Sequence, residues 1–83
     1  MNQASTPYSP ISCEFHDLLE ALATVRRPAV IRYRDQDGAA RQVTATITDI
    51  FSRERVEFVS LGTGEALRLD QLVEVNGEKL RDY

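Results

Sequence analysis

Apolar positions recur every three to four residues over one early stretch of this chain, and every second residue over most of the remainder. Phe15, Leu18, Leu19, Leu22 and Val25 keep the i, i+3, i+4, i+7 spacing of one helix face. At about 100° per residue they span an arc of about 120°. Glu14, Asp17 and Glu20 span a second arc of about 120°, pointing away from the first. The pattern predicts an amphipathic helix that starts at Ser12 or Cys13 and stops before Pro28. Ser12 offers a hydroxyl to an orphan N–H, and Glu14 lies in the first turn, where the helix dipole favours an anion. Ile11 precedes the cap as a hydrophobic staple, and Arg26 and Arg27 suit the negative C-terminal end. A helix this short does not hold itself in water, so its apolar face must lie on the rest of the chain.

The rest alternates with a period of two. Residues 29–34 read as a first strand, with Ile31 and Tyr33 on one face and Arg32 and Arg34 on the other. Asp37-Gly38 marks a hairpin. Residues 41–48 put Val43, Ala45 and Ile47 inward and Thr44, Thr46 and Thr48 outward. The alternation breaks at Asp49, Ile50 and Phe51, which predicts a bend or bulge. Residues 56–61, 66–69 and 72–75 read as three further strands, separated by the turn 62–65 and a tight corner at Asp70-Gln71. Asn76-Gly77 ends the last strand, and residues 78–83 read as a frayed tail with Leu80 tucked back.

One helix followed by five short strands makes an α+β, mainly β domain. Small barrels dispose of exposed strand edges. A long bent second strand and a two-residue corner point to a five-stranded Sm-like (SH3-like) small barrel with the helix packed on it; an OB-fold-like barrel is the alternative. The expected division is a disordered tail over residues 1–7, one domain over 8–80 and a C-terminal tail over 81–83. The chain of 83 residues has no repeat and room for one small core.

Charge changes this picture more than composition does. Net charge is −3, and all of it lies in residues 1–25, which hold Glu14, Asp17 and Glu20 and no Lys or Arg. Residues 26–83 hold ten basic and ten acidic residues. A nucleic-acid binder usually carries a basic surplus; here the concentrated charge is negative and points to a basic partner, with no direct nucleic acid expected. The single cysteine rules out an internal disulfide framework, and the start Met-Asn-Gln-Ala-Ser-Thr is not a secretory signal. No apolar run is long enough for a bilayer, and the single cysteine suits a reducing, cytoplasmic address; a monomer without membrane contact is expected.

Candidate chemistry is sparse. His16 lies at the border of the two helix faces, with no triad pattern around it, and reads as a partly exposed surface histidine. Cys13 sits at the helix start as a small, half-buried residue. One Cys and one His make no zinc site. Gly62-Thr-Gly64 lacks the lysine of a phosphate loop and reads as a turn. Neither an enzyme nor a cofactor or metal is expected. Tyr33 among Arg32, Arg34 and Arg41 has the composition of a base-stacking platform, diluted by Asp35 and Asp37. Tyr8 and Ile11, in the arm before the helix, are candidate partner anchors.

Tyr8-x-Pro10-Ile11-x-Cys13, followed by Asp17-x-Leu19-Glu20, resembles the opening signature of the Rho-binding antiterminator family, also called Rof. The resemblance continues through Asp49-Ile-Phe-Ser-Arg53, Val56-Glu-Phe58 and Gly64-Glu-x-Leu-Arg-Leu-Asp70, and so covers roughly residues 8–75. It implies an Sm-like barrel with an N-terminal helix, and an inhibitor of the transcription termination factor Rho. Such a protein binds the RNA-loading domain of that hexameric helicase and blocks its primary RNA site. By position, the resemblance implies Glu14, Asp17 and Glu20 as acidic contacts, Tyr8, Ser12 and Cys13 as shape contacts beside them, and Ser52, Arg53 and Glu54 as a second contact loop. His16 and Leu18 depart from the more polar residues expected at their positions, which weakens the acidic face.

Overall fold

The computed structural model describes residues 10–83. The helix α1 (Cys13–Val25) is followed by β1 (Pro28–Arg34), β2 (Ala40–Arg53), β3 (Val56–Leu61), β4 (Ala66–Arg68), β5 (Leu72–Val75) and β6 (Glu78–Lys79). Two 3-10 turns, Leu69–Gln71 and Leu80–Asp82, flank β5 and β6. All pairings are antiparallel, in the order β4-β3-β2-β1-β5-β6. The domain is therefore α+β and mainly β. The expected tail over residues 1–7 lies outside the described residues.

β2 organises the sheet. Its first half pairs with β1, from Arg34↔Ala40 to Pro28↔Thr46; its second half pairs with β3, from Ile47↔Leu61 to Arg53↔Val56. The register shifts between Ile47 and Asp49, where the alternation in the sequence breaks. An extra residue there bends the strand and raises its twist, so one strand serves both halves of the sheet. The corner Leu69–Gln71 then carries the chain from β4, beside β3, to β5, beside β1. Gln71 fixes that corner: its Oε1 accepts from the Arg68 N–H at 2.9 Å and its Nε2 donates to the Arg34 carbonyl at 3.0 Å.

Two expectations are corrected. The sheet has six strands rather than five, and among the described residues its hydrogen bonding runs from β4 to β6 without closing into a barrel. And residues 78–83 are not a frayed tail. Asn76-Gly77 forms a two-residue turn with φ of 51° and 87°, which lets Glu78 pair with Val75 and Lys79 with Glu74. The Tyr83 ring then meets Phe15 edge-on at 5.3 Å, and its hydroxyl donates to Glu78 at 2.5 Å. A short edge strand of two residues exposes little backbone for pairing with another chain.

The core lies between α1 and one face of the sheet. Phe15 and Leu19 are fully buried against Ile31, Ile47, Val59, Leu69 and Val75. No polar or charged described residue is buried. Removing Phe15 and Leu19 from water contributes about 2 kcal/mol each, which fastens the helix to the sheet. Leu18, Leu22 and Ala23 pack half-buried at the margin. Val25, expected on the same buried face, is 56% exposed. It is the last helical residue; Arg26 turns the chain at φ 55°, donating its N–H to the Leu22 carbonyl at 3.0 Å, and Val25 overhangs the core.

Candidate functional site

The helix sets the site. Ser12 is its N-cap: the Phe15 N–H donates to the Ser12 hydroxyl at 3.2 Å. A cap of this kind is worth about 1 kcal/mol, and it fixes where the acidic residues point. With Phe15 and Leu19 turned into the core, Glu14, Asp17 and Glu20 fall on the opposite side and all three are exposed. There is no Lys or Arg anywhere in α1. Three carboxylates thus share one solvated helix face with no cation between them.

His16 stands at the edge of that face, half-buried. Its Nδ1 is 3.8 Å from Glu20 Oε1, one turn along the helix, and its Nε2 is 3.3 Å from Glu57 Oε2 on β3. Glu57 alternates with Val59 and Leu61, so it lies on the core side of β3 just beyond the end of the core. His16 therefore joins the helix to the sheet between two carboxylates. The ligating atoms of His16, Asp17 and Glu20 lie within 4.8 Å of one another. Both carboxylates there are exposed and solvated, so the convergence acts first as negative charge.

Glu57 also links the helix to the second candidate segment. It pairs with Ser52 across β2 and β3. Ser52 and Arg53 end β2, and Glu54 begins the two-residue turn to β3; all three are exposed. The fold thus brings the loop 52–54 and the middle of α1 to one end of the sheet, with Glu57 between them. On the opposite face of the same hairpin, Phe51 and Phe58 stack at 5.3 Å, and Arg53 lies over the Phe51 ring at 5.9 Å. Cys13 is exposed at the helix start rather than half-buried, and Ser12 is half-buried beside it. Tyr8 lies outside the described residues, while Ile11 packs against the core.

Glu57 is the member of this candidate site that the sequence pattern alone does not reveal. Its parity with Val59 and Leu61 is a usable signal, because a carboxylate on the core side of a strand must find a way out of the core.

The other candidate platform is taken up by its own hairpin. Tyr33 is half-buried against the core. Arg34 donates to the Gly38 carbonyl at 3.0 Å, Arg32 to Gln42 at 3.1 Å and Arg41 to Asp35 at 2.8 Å. The Arg41 hydrogen bond, helped by backbone N–H groups of the turn, holds the Asp35 carboxyl below its ordinary value. Among the described residues no helix is long and apolar enough to cross a membrane. Compared with protein-family models and with curated proteins, the sequence matches none of them.

Proposed function

We propose that this chain is an inhibitor of Rho-dependent transcription termination, a Rho-binding antiterminator built on an Sm-like domain. The observation that carries the reading is the helix face: Glu14, Asp17 and Glu20 exposed together, extended by Glu57, with the opposite face spent in the core. The resemblance of the sequence around Cys13 and Asp17 to the Rho-binding antiterminator signature supports Rho as the partner. A long second strand with a bulge, and a three-residue corner between β4 and β5, support the Sm-like reading of the fold.

The physical mechanism is competition. A site that loads single-stranded RNA needs cations to hold phosphates. A rigid helix offering three carboxylates at one-turn spacing occupies those cations and excludes the RNA. Ser12 and Cys13 meet the partner beside the acidic face, Ser52, Arg53 and Glu54 meet it from the adjoining turn, and Tyr8 anchors the preceding arm. The chain is a non-catalytic, cytoplasmic binder in this reading, and acts as a monomer.

The test is a competition assay with Rho and labelled cytidine-rich RNA at two salt concentrations. Release of RNA that weakens as salt rises is the expected result. No release, with this protein itself shifting the RNA and running as a ring-sized oligomer, would replace the reading by an Sm-like RNA-binding protein.

A further inference from the structure

The C-terminal turn walls one side of a shallow hollow of about 420 Å³ on the outer face of β1, β5 and β6. Arg32, Glu74 and Lys79 stand in one cross-strand row, through the pairings Arg32↔Glu74 and Glu74↔Lys79. Arg81 joins them from the 3-10 turn. Val73, 40% exposed, and Leu80 give the hollow an apolar side.

Three features make this more than a dent in the surface. Among the described residues, none of the three cations has a carboxylate at salt-bridge distance; Arg32 donates to the neutral side chain of Gln42. Three cations against the one carboxylate of Glu74 leave a local surplus of two positive charges, in a chain whose net charge is −3. And the wall is held in place. Tyr83, at the end of the turn carrying Arg81, is tied to Glu78 by its hydroxyl and to Phe15 by its ring, and the pairing of Lys79 with Glu74 holds the start of that turn.

Two guanidinium forks and an ammonium lining one hollow from three elements match an anion with several oxygens better than a single carboxylate. The exposed aliphatic side asks for a ligand that also has an apolar or flat part. We propose that this hollow binds a small phosphate monoester of mononucleotide size, with its phosphate on Arg32, Lys79 and Arg81 and its body over Val73 and Leu80. The site is separate from the acidic helix face and does not depend on the Rho reading.

The experiment is an amide NMR titration of the full chain with cytidine 5′-monophosphate, cytidine and inorganic phosphate. Saturable shifts confined to residues around Arg32, Val73 and 79–81 are expected with the nucleotide. Inorganic phosphate should move the same amides more weakly, and cytidine alone should not. The double substitution Lys79→Gln, Arg81→Gln should weaken binding by about tenfold or more, the worth of charge-assisted contacts. Glu74→Gln should tighten it, because the one opposing charge is gone. Arg34→Gln and Arg41→Gln, in the first hairpin, should change nothing. A 5′-phosphorylated trinucleotide separates two sources: equal or tighter binding assigns the end of a strand, weaker binding a free nucleotide. Shifts spread over all surface arginines, binding unchanged in the Lys79→Gln, Arg81→Gln protein, or no saturation by about 10 mM would each overturn the proposal.

Discussion

Glu54 and Arg55 fill the two central positions of the β2–β3 turn with φ of 54° and 69°. Both lie in the left-handed region, which costs a residue with a Cβ of this size about 1 kcal/mol. The β5–β6 turn has the same length and the same signs of φ, but there the residues are Asn76 and Gly77, the pair that this turn type prefers. Asn76 does more than tolerate the angle: its Oδ1 accepts from the Val30 N–H at 2.9 Å, and its own N–H donates to the Val30 carbonyl at 2.8 Å. One turn is thus optimised for stability and its counterpart is not. Strain kept at an exposed turn points to a job for its side chains, and this turn is the second candidate contact loop. Replacing Glu54 by Asn and Arg55 by Gly should raise stability by about 1 kcal/mol and the melting temperature by roughly 4–8 °C. The same protein should bind Rho less well. Thermal unfolding followed by circular dichroism checks the first part, and an unchanged or lower midpoint would show that the turn is not strained.

At the scale of elements, the helix and most strands are legible in the sequence because their periods are clean. Strands β3 and β5 fall where alternation alone puts them, and the bulge in β2 falls where alternation breaks. The missed element, β6, has its signal in Asn76-Gly77, a pair that can end a strand or reverse it; a strand of two residues has too few positions to show a period and decide between them. The open sheet is invisible for another reason: closure depends on whether the edge strands β4 and β6 reach each other, and no local pattern encodes that distance. In the site, helical spacing is enough to place Glu14, Asp17 and Glu20 together, whereas Glu57 arrives through tertiary packing against His16. The C-terminal turn gives a prediction in pH. Its Tyr83 phenol donates to Glu78, and that hydrogen bond, reinforced by partial desolvation and the charges of Glu78, Asp82 and Glu14, raises its pKa above the ordinary value near 10. A raised acid keeps its proton in the folded state, so the stabilisation is complete below the ordinary value and is lost as pH rises through the folded one. Carbon-bound proton signals of Leu80 and of the Tyr83 ring, which do not exchange with water, should therefore shift above about pH 10 while those of the core strands stay unchanged. Tyr83→Phe should remove the highest-pH component of the tyrosine absorbance titration; its persistence in that variant would mean Tyr83 is not the shifted group.

The whole molecule is polar in direction, although its sheet is close to neutral. Carboxylates collect on the outer face of α1 and at Glu57, while the hollow around Arg32, Lys79 and Arg81 holds a cationic surplus on other elements. A small body of this kind meets a basic surface with its helix first, because the approach is guided before contact is made. The consequence is kinetic and specific to position. Neutralising Glu14, Asp17 and Glu20 to Gln, Asn and Gln should lower the association rate with the RNA-loading domain of Rho by about tenfold at low salt and flatten its dependence on ionic strength. Neutralising three other exposed carboxylates, Asp37, Asp49 and Glu65, changes net charge by the same amount but lies off the helix. If steering follows the local field of the helix, the second protein keeps most of the rate and most of the salt slope; if it follows net charge, the two proteins lose equally. Stopped-flow association at several salt concentrations separates the cases. Equal losses would overturn the proposal that the helix face is the recognition surface, since a field that acts through the total charge alone cannot choose which side of the molecule docks.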